Sequence, residues 1–210
     1  MTTVTDLIDT FEAEAARERP EAETPDVGIV MGSDSDLDVM AGSASGREGA
    51  YDALRALGFE EVTDYDDPPS ARFTFETWVV SAHRTPALMY AYADTAADRG
   101  LDVIVAGAGG KSADLPNMVA SIAYPLPVIG VPVQEKSVGS VIGMPHGAPL
   151  TAVDAGKSYN AALSAVQILA REHPVLADRL RDLHDDRQSD VASVSRTLHD
   201  EGTPSFQGRE

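Results

Sequence analysis

No cysteine occurs in the 210-residue chain. That excludes a disulfide framework, a thiolate nucleophile and a cysteine-ligated metal. No apolar run reaches the roughly 18 residues that would span a bilayer. The first residues, Met1 to Ala22, are acidic and lack the basic start and apolar centre of a signal peptide, so a cytoplasmic protein is expected. Lysine is scarce: Lys111, Lys136 and Lys157 are the only ones. The formal net charge is −18, a field that repels nucleic acid and acidic membrane surfaces. Acids are spread along the whole chain, as on a surface adapted to a salt-rich cytoplasm where screening weakens self-repulsion. Folding is therefore expected to need high salt, with a melting temperature that rises as salt is added. An anionic ligand would need a local basic pocket within this field.

What is present fits one globular domain with tails, since 43% of residues are hydrophobic. Residues 1–25 read as an acidic extension, 26–172 as the α/β domain, and 173–210 as a C-terminal helix with an acidic tail. Helical spacing runs from Asp6 to Arg19, and both a docked helix and a mobile tail suit it. Val27–Met31 is the first buried strand, and a helix starts near Leu37. Ala41 to Gly49 either interrupts that helix or forms a loop before a helix from Tyr51 to Leu57, which Gly58 ends. Glu60 to Ser70, with Pro68-Pro69, reads as an exposed loop. Phe73–Val80 is the second strand, 86–98 a helix, Asp102–Ala106 the third strand, Leu115–Ala123 a helix and Pro127–Val133 the fourth strand. Gln134 to Pro149 is glycine-rich, and a lid or a subunit contact suits it. A short strand near Thr151 and an alanine-rich helix from Gly156 to Arg171 follow. Asn160, if buried there, would hold a loop through its hydrogen bonds. His173, His184 and His199 read as surface residues.

Strands alternating with helices imply a three-layer α/β/α fold with a parallel, doubly wound, flavodoxin-like sheet. Three loops then gather at the carboxyl edge of that sheet, where such folds bind ligands. One is Gly32-Ser33-Asp34-Ser35-Asp36, whose hydroxyls and acid suit either a phosphate or sugar or an ordinary cap. The second is Ser81-Ala82-His83-Arg84-Thr85-Pro86, with Thr85 as the expected N-cap and Pro86 as the first helical residue. It places a titratable imidazole beside a fixed cation. The third is Gly107-Ala108-Gly109-Gly110-Lys111-Ser112, whose glycines let backbone N–H groups approach a ligand. His146, in the glycine-rich segment, ranks below His83. No Walker lysine and no GxGxxG spacing is present. A small phosphorylated ligand and histidine acid–base chemistry fit this set.

Read together, these loops resemble a known family. Val30 to Asp36, Ser81 to Pro86, Ala106 to Gly110, Leu115-Pro116, Val128 to Gln134, Met144-Pro145 with Gly147, Asn160 to Leu163 and Gln167 to Ala170 are similar, in order, to the N5-carboxyaminoimidazole ribonucleotide mutases of purine biosynthesis. The resemblance spans about residues 26–172. It implies a homo-octamer and a reaction that moves a carboxylate from an exocyclic nitrogen to ring carbon C4, with no metal, nucleotide or organic cofactor. It implies His83 as the acid/base, Arg84 on phosphate, and Ser33 and Asp36, with Ser35 nearby, on the ribose-phosphate end. The expected binding set is completed by Ser81, Gly107, Gly109, Gly110 and Lys111.

The chain departs from the family pattern in places. Met40 to Thr77 is longer than usual, and Glu135 to Gly143 shorter. Where the mutases commonly read Ala-Ala-His before Leu-Pro, this chain has Lys111-Ser112-Ala113-Asp114. A related branch that carboxylates aminoimidazole ribonucleotide directly with CO2 carries a basic residue and Ser in this loop. A non-catalytic sugar-phosphate or flavodoxin-like binding module is the alternative from outside enzymology. A flavin carrier would want aromatic rings at its ligand loops, and these loops have none.

Overall fold

The computed structural model describes residues 2–43 and 45–207. Residue 44 of the glycine- and serine-rich stretch and residues 208–210 of the expected tail lie outside them. Six strands form one sheet: β1 Val27–Met31, β2 Phe59–Val62, β3 Phe73–Val79, β4 Val103–Ala108, β5 Val128–Pro132 and β6 Thr151–Ala152. Their order is β2-β3-β1-β4-β5-β6, and every pairing is parallel. The helices are α1 Val4–Ala15, α2 Leu37–Met40, α3 Ala50–Ala56, α4 Pro86–Asp94, α5 Leu115–Ile122, α6 Val138–Val141, α7 Ser158–Leu169, α8 Pro174–Glu201 and α9 Thr203–Gln207.

The near-continuous apolar strands follow from burial on both faces. Along β1, Val27, Ile29 and Met31 enter the core shared with α3, α7 and the start of α8. Val30 enters the opposite core, under α4 and α5. This is the three-layer, flavodoxin-like fold expected from the alternating pattern. After β1 the chain runs out to edge strand β2, returns to β3 beside β1, then crosses over to place β4 on the other side of β1. The resulting crevice between β1 and β4 is where open sheets bind ligands.

The segment read as an exposed loop holds the edge strand β2, which pairs in register with β3 from Phe59↔Phe73 to Val62↔Glu76. Only Phe59 and Val62 are buried, and Glu60 and Glu61 decorate the sheet edge. Acids on an edge strand block further pairing, and they also lower the hydrophobicity that would reveal it. Helix α4 ends at Asp94, short of the expected 98, and irregular turns lead to Gly100 (φ +92). Asn160 is exposed, not buried. Ser158, two residues earlier, is the buried polar group, and its hydroxyl donates to the Val39 carbonyl. His173 is half-buried, edge-on to the Phe73 ring at 5.2 Å.

Helix α1 is docked. Thr3 and Asp6 form a reciprocal capping box at its start (3.2 and 2.7 Å). Phe11 is fully buried, edge-on to Trp78 and Tyr92 at 4.8 and 5.5 Å.

At the opposite end of the sheet from the crevice, Asp26 is buried and accepts the Thr74 N–H at 2.6 Å. Burial pushes its carboxyl up to about 6, against the Thr74 hydrogen bond that pulls it down. The folded state thus holds this proton more tightly than the unfolded chain does. Stability from this group is fullest below about pH 4 and is lost as pH rises through about 6. At neutral pH the charged form costs about 3 kcal/mol, at 1.36 kcal/mol per pKa unit. The advantage of Asp26→Asn over the parent should grow by that order between pH 4 and 7, read by urea unfolding at each pH.

Candidate active site

Four loops line a cleft of about 310 Å³ at the carboxyl edge of the sheet. Residues 32–36 follow β1, 81–84 follow β3, 108–115 close β4 and open α5, and Gln134 and Lys136 follow β5. The parallel topology explains the convergence, because every strand delivers its C-terminal end to one edge.

In the first loop the Ser33 hydroxyl accepts the Ser35 N–H at 3.3 Å and donates to Asp34 Oδ1 at 3.0 Å. Asp36 is 6% exposed. Its burial pushes the carboxyl up from the ordinary value, while the N–H groups of Ser33 and Gly109 and the charge of Arg84 pull it down. Gly109 allows this closeness, since a Cβ there would stand 2.9 Å from Asp36 Oδ1. Gly109→Ala should therefore displace Asp36 and destabilise the protein by about 1–3 kcal/mol, the usual range for overpacking. Urea unfolding measures it, and an unchanged midpoint would show that the loop yields freely.

The second loop is closed on itself. Thr85 does not cap α4 with its side chain, as its sequence position suggested. Its hydroxyl instead accepts the Ser81 N–H at 2.9 Å and donates to the Ser81 carbonyl at 3.3 Å. His83 and Arg84 stand on the turn thus pinned. Arg84 donates to the Gly32 carbonyl at 2.7 Å, bridging the first and second loops. His83 Nε2 lies 3.1 Å from Asp114 Oδ2. The pair is open to solvent, at 60% and 42% side-chain exposure.

Of the residues expected from sequence, Ser33, Ser35, Asp36, Ser81, His83, Arg84, Gly109 and Gly110 border this cleft. Gly107 does not. It serves packing, because a Cβ there would stand 2.2 Å from Met40 Sδ. Lys111 is exposed and lies outside the lining. His146 is exposed and also lies outside it. Ser112, from the third expected loop, lines the cleft, and Asp114, Gln134 and Lys136 line it without having been expected there. The signal for Gln134 and Lys136 was positional, since they follow a buried parallel strand. Among the described residues, no three His, Asp or Glu side chains converge as a metal's ligands would. The arrangement offers a fixed guanidinium, hydroxyls and the glycine-loop backbone for an oxyanion, and an imidazole for proton transfer.

Comparison with known proteins gives a consistent picture. The family model described as AIR carboxylase matches residues 26–190. An N5-carboxyaminoimidazole ribonucleotide mutase of Mycobacterium tuberculosis is 45% identical over 181 residues, covering 83% of this chain and 90% of that protein. The protein of the same name from Saccharolobus solfataricus is 40% identical over 176 residues, covering 81% and 97%. Among solved structures, Treponema denticola PurE superposes with a TM-score of 0.62 at 21% identity, covering 82% of this chain and 97% of that one. That last likeness concerns the fold alone.

Proposed function

The chain belongs to the AIR carboxylase family, and from that membership we infer the reaction for which its relatives are named. It is an isomerase of purine biosynthesis that converts N5-carboxyaminoimidazole ribonucleotide to 4-carboxy-5-aminoimidazole ribonucleotide. The observation that carries this reading is the 45% identity to a mutase across 83% of the chain.

The cleft's chemistry supports a division of labour. Arg84, with Ser33, Ser35 and Asp36, holds the ribose-phosphate end and positions the ring. His83 gives a proton to the carbamate nitrogen, and the N–CO2 bond breaks to release CO2. The ring carbon C4, an enamine-like nucleophile, attacks that CO2. The C4 proton then returns to His83, which restores both the aromatic ring and the imidazolium. No proton is gained or lost overall, as an isomerisation requires. The Gly110 amide, next to the Gly109 N–H that Asp36 already takes, faces the migrating carboxylate. The same reading includes self-association as a homo-octamer in the cytoplasm. Exposed Tyr90, Met118 and Tyr124, on and after α4 and α5, supply apolar surface for it.

Two substrates test the reaction. Purified protein in high salt receives either the N5-carboxylated ribonucleotide without bicarbonate or the uncarboxylated ribonucleotide with CO2. Rapid product from the first alone is the expected result. Rapid product from the second alone would move the chain to direct carboxylation, a reading that the Lys111-Ser112 pair after the glycine loop favours. Turnover of neither would overturn the function while leaving the fold.

A further inference from the structure

We propose that Asp114 is the positioning residue for His83, fixing both the place and the tautomer of the imidazole. This rests on His83 acting as the acid/base of the reaction above. Asp114 sits at the N-cap of α5 but makes no cap bond to its own helix. Its carboxylate is turned outward and committed at both oxygens. Oδ1 accepts the Ser140 hydroxyl at 2.7 Å, and Oδ2 meets His83 Nε2 at 3.1 Å. The Ser140 carbonyl in turn accepts from Asn117 Nδ2 at 2.8 Å, three residues along α5 from Asp114. This ring locks α6 onto α5 and leaves the carboxylate one orientation. Ionised, it is acceptor-only. Nε2 must therefore carry the proton, and Nδ1 is the nitrogen left to exchange a proton with substrate.

The reaction needs this control because His83 is exposed and has no second hydrogen-bond partner among the described residues. A free imidazole on a surface turn samples several rotamers and both tautomers. Each wrong state removes the group that gives the first proton and takes the second.

The experiment compares Asp114→Asn, Asp114→Glu, His83→Asn and the His83→Asn/Asp114→Asn double variant. Asp114→Asn is expected to lose roughly 10–100-fold in kcat, by analogy with the carboxylates that orient metal-bound histidines. KM should stay within about threefold, because the anchoring groups are untouched. Asp114→Glu, which restores a carboxylate, should recover part of the rate. The double variant should be no slower than His83→Asn alone, since both changes disable one unit. An Asp114→Asn enzyme within threefold of the parent kcat, or a double variant showing the full product of both losses, would overturn the proposal. A readout that needs no substrate separates this failure from failure of the reaction itself. Imidazole 15N resonances of His83, recorded in alkaline buffer where the ring is neutral and assigned by their loss in His83→Asn, should show the Nε2-protonated tautomer alone in the parent and both tautomers in Asp114→Asn. Equal mixtures in the two proteins would overturn the proposal even if neither substrate reacts.

Discussion

His83→Asn will lower kcat by roughly 10²–10⁴-fold, the contribution of a positioned general acid/base. At 1.36 kcal/mol per tenfold, that is about 3–5 kcal/mol of transition-state stabilisation. The loss should fall on kcat and spare KM. Arg84 keeps its bond to the Gly32 carbonyl, and Asp36 stays buried against the Gly109 loop, whatever residue stands at 83. The fold should not respond either. The side chain at 83 is 60% exposed, and the turn that carries it is closed by Ser81 and Thr85. Surface substitutions of that kind stay within about 0.5 kcal/mol. The measurement is steady-state kinetics with the N5-carboxylated substrate, alongside urea unfolding of the same preparation. A variant retaining a tenth or more of the parent kcat would remove His83 from the chemistry and leave it as a solvated turn residue. A variant whose KM rises while kcat holds would make it a binding group instead.

What could be read from the sequence divides along one physical line. Val27–Met31, the apolar run ahead of Ala106 and the run ahead of Val133 are buried on both faces, so their composition announces them. Parallel topology then fixes which ends gather, and eight of the expected residues border one cleft because of it. Side-chain direction and pairing were not legible. Lys111 carries the right charge, yet it stands outside the lining. Asp114 looked like a departure from a family pattern, and its contact with His83 depends on a rotamer that no spacing encodes. Edge strand β2 escaped because the acids that protect an edge also hide it. The N-terminal helix showed its periodicity, but whether it docked depended on a partner some sixty residues or more away, at Trp78 and Tyr92.

That partner surface contains the feature with the largest expected effect on stability. Arg99 and Glu76 form an ion pair at 2.7 Å with exposures of 0% and 1%. The guanidinium also donates to Thr95 Oγ1 at 2.6 Å and to the Tyr92 carbonyl at 3.2 Å. It lies 4.7 Å from the Phe11 ring centre and 4.8 Å from that of Tyr92, so α1 packs directly on a cation. The Tyr65 hydroxyl donates to the second Glu76 oxygen. Burial, followed by the Glu76 charge, pushes the Tyr65 hydroxyl well above its ordinary value, which keeps it protonated as a donor. Arg99→Ala removes the cation and strands the Glu76 carboxylate in the core, at a cost of about 3–5 kcal/mol. For a chain of this size that corresponds to a melting temperature lower by roughly 10 °C. The pair as a whole is a different matter. Desolvating two charges offsets most of their attraction, so Glu76→Gln/Arg99→Met should lose far less than Arg99→Ala. Thermal and urea unfolding of both variants decide between two accounts. Equal losses would make the pair a net stabiliser in its own right. A large single loss with a small double one would mean that Arg99 is needed chiefly because Glu76 is there. Proteolysis adds the local reading. If the guanidinium is the floor on which Phe11 sits, Arg99→Ala should expose the α1 segment to cleavage before the sheet unfolds, whereas the double variant, with an apolar floor, should keep α1 protected.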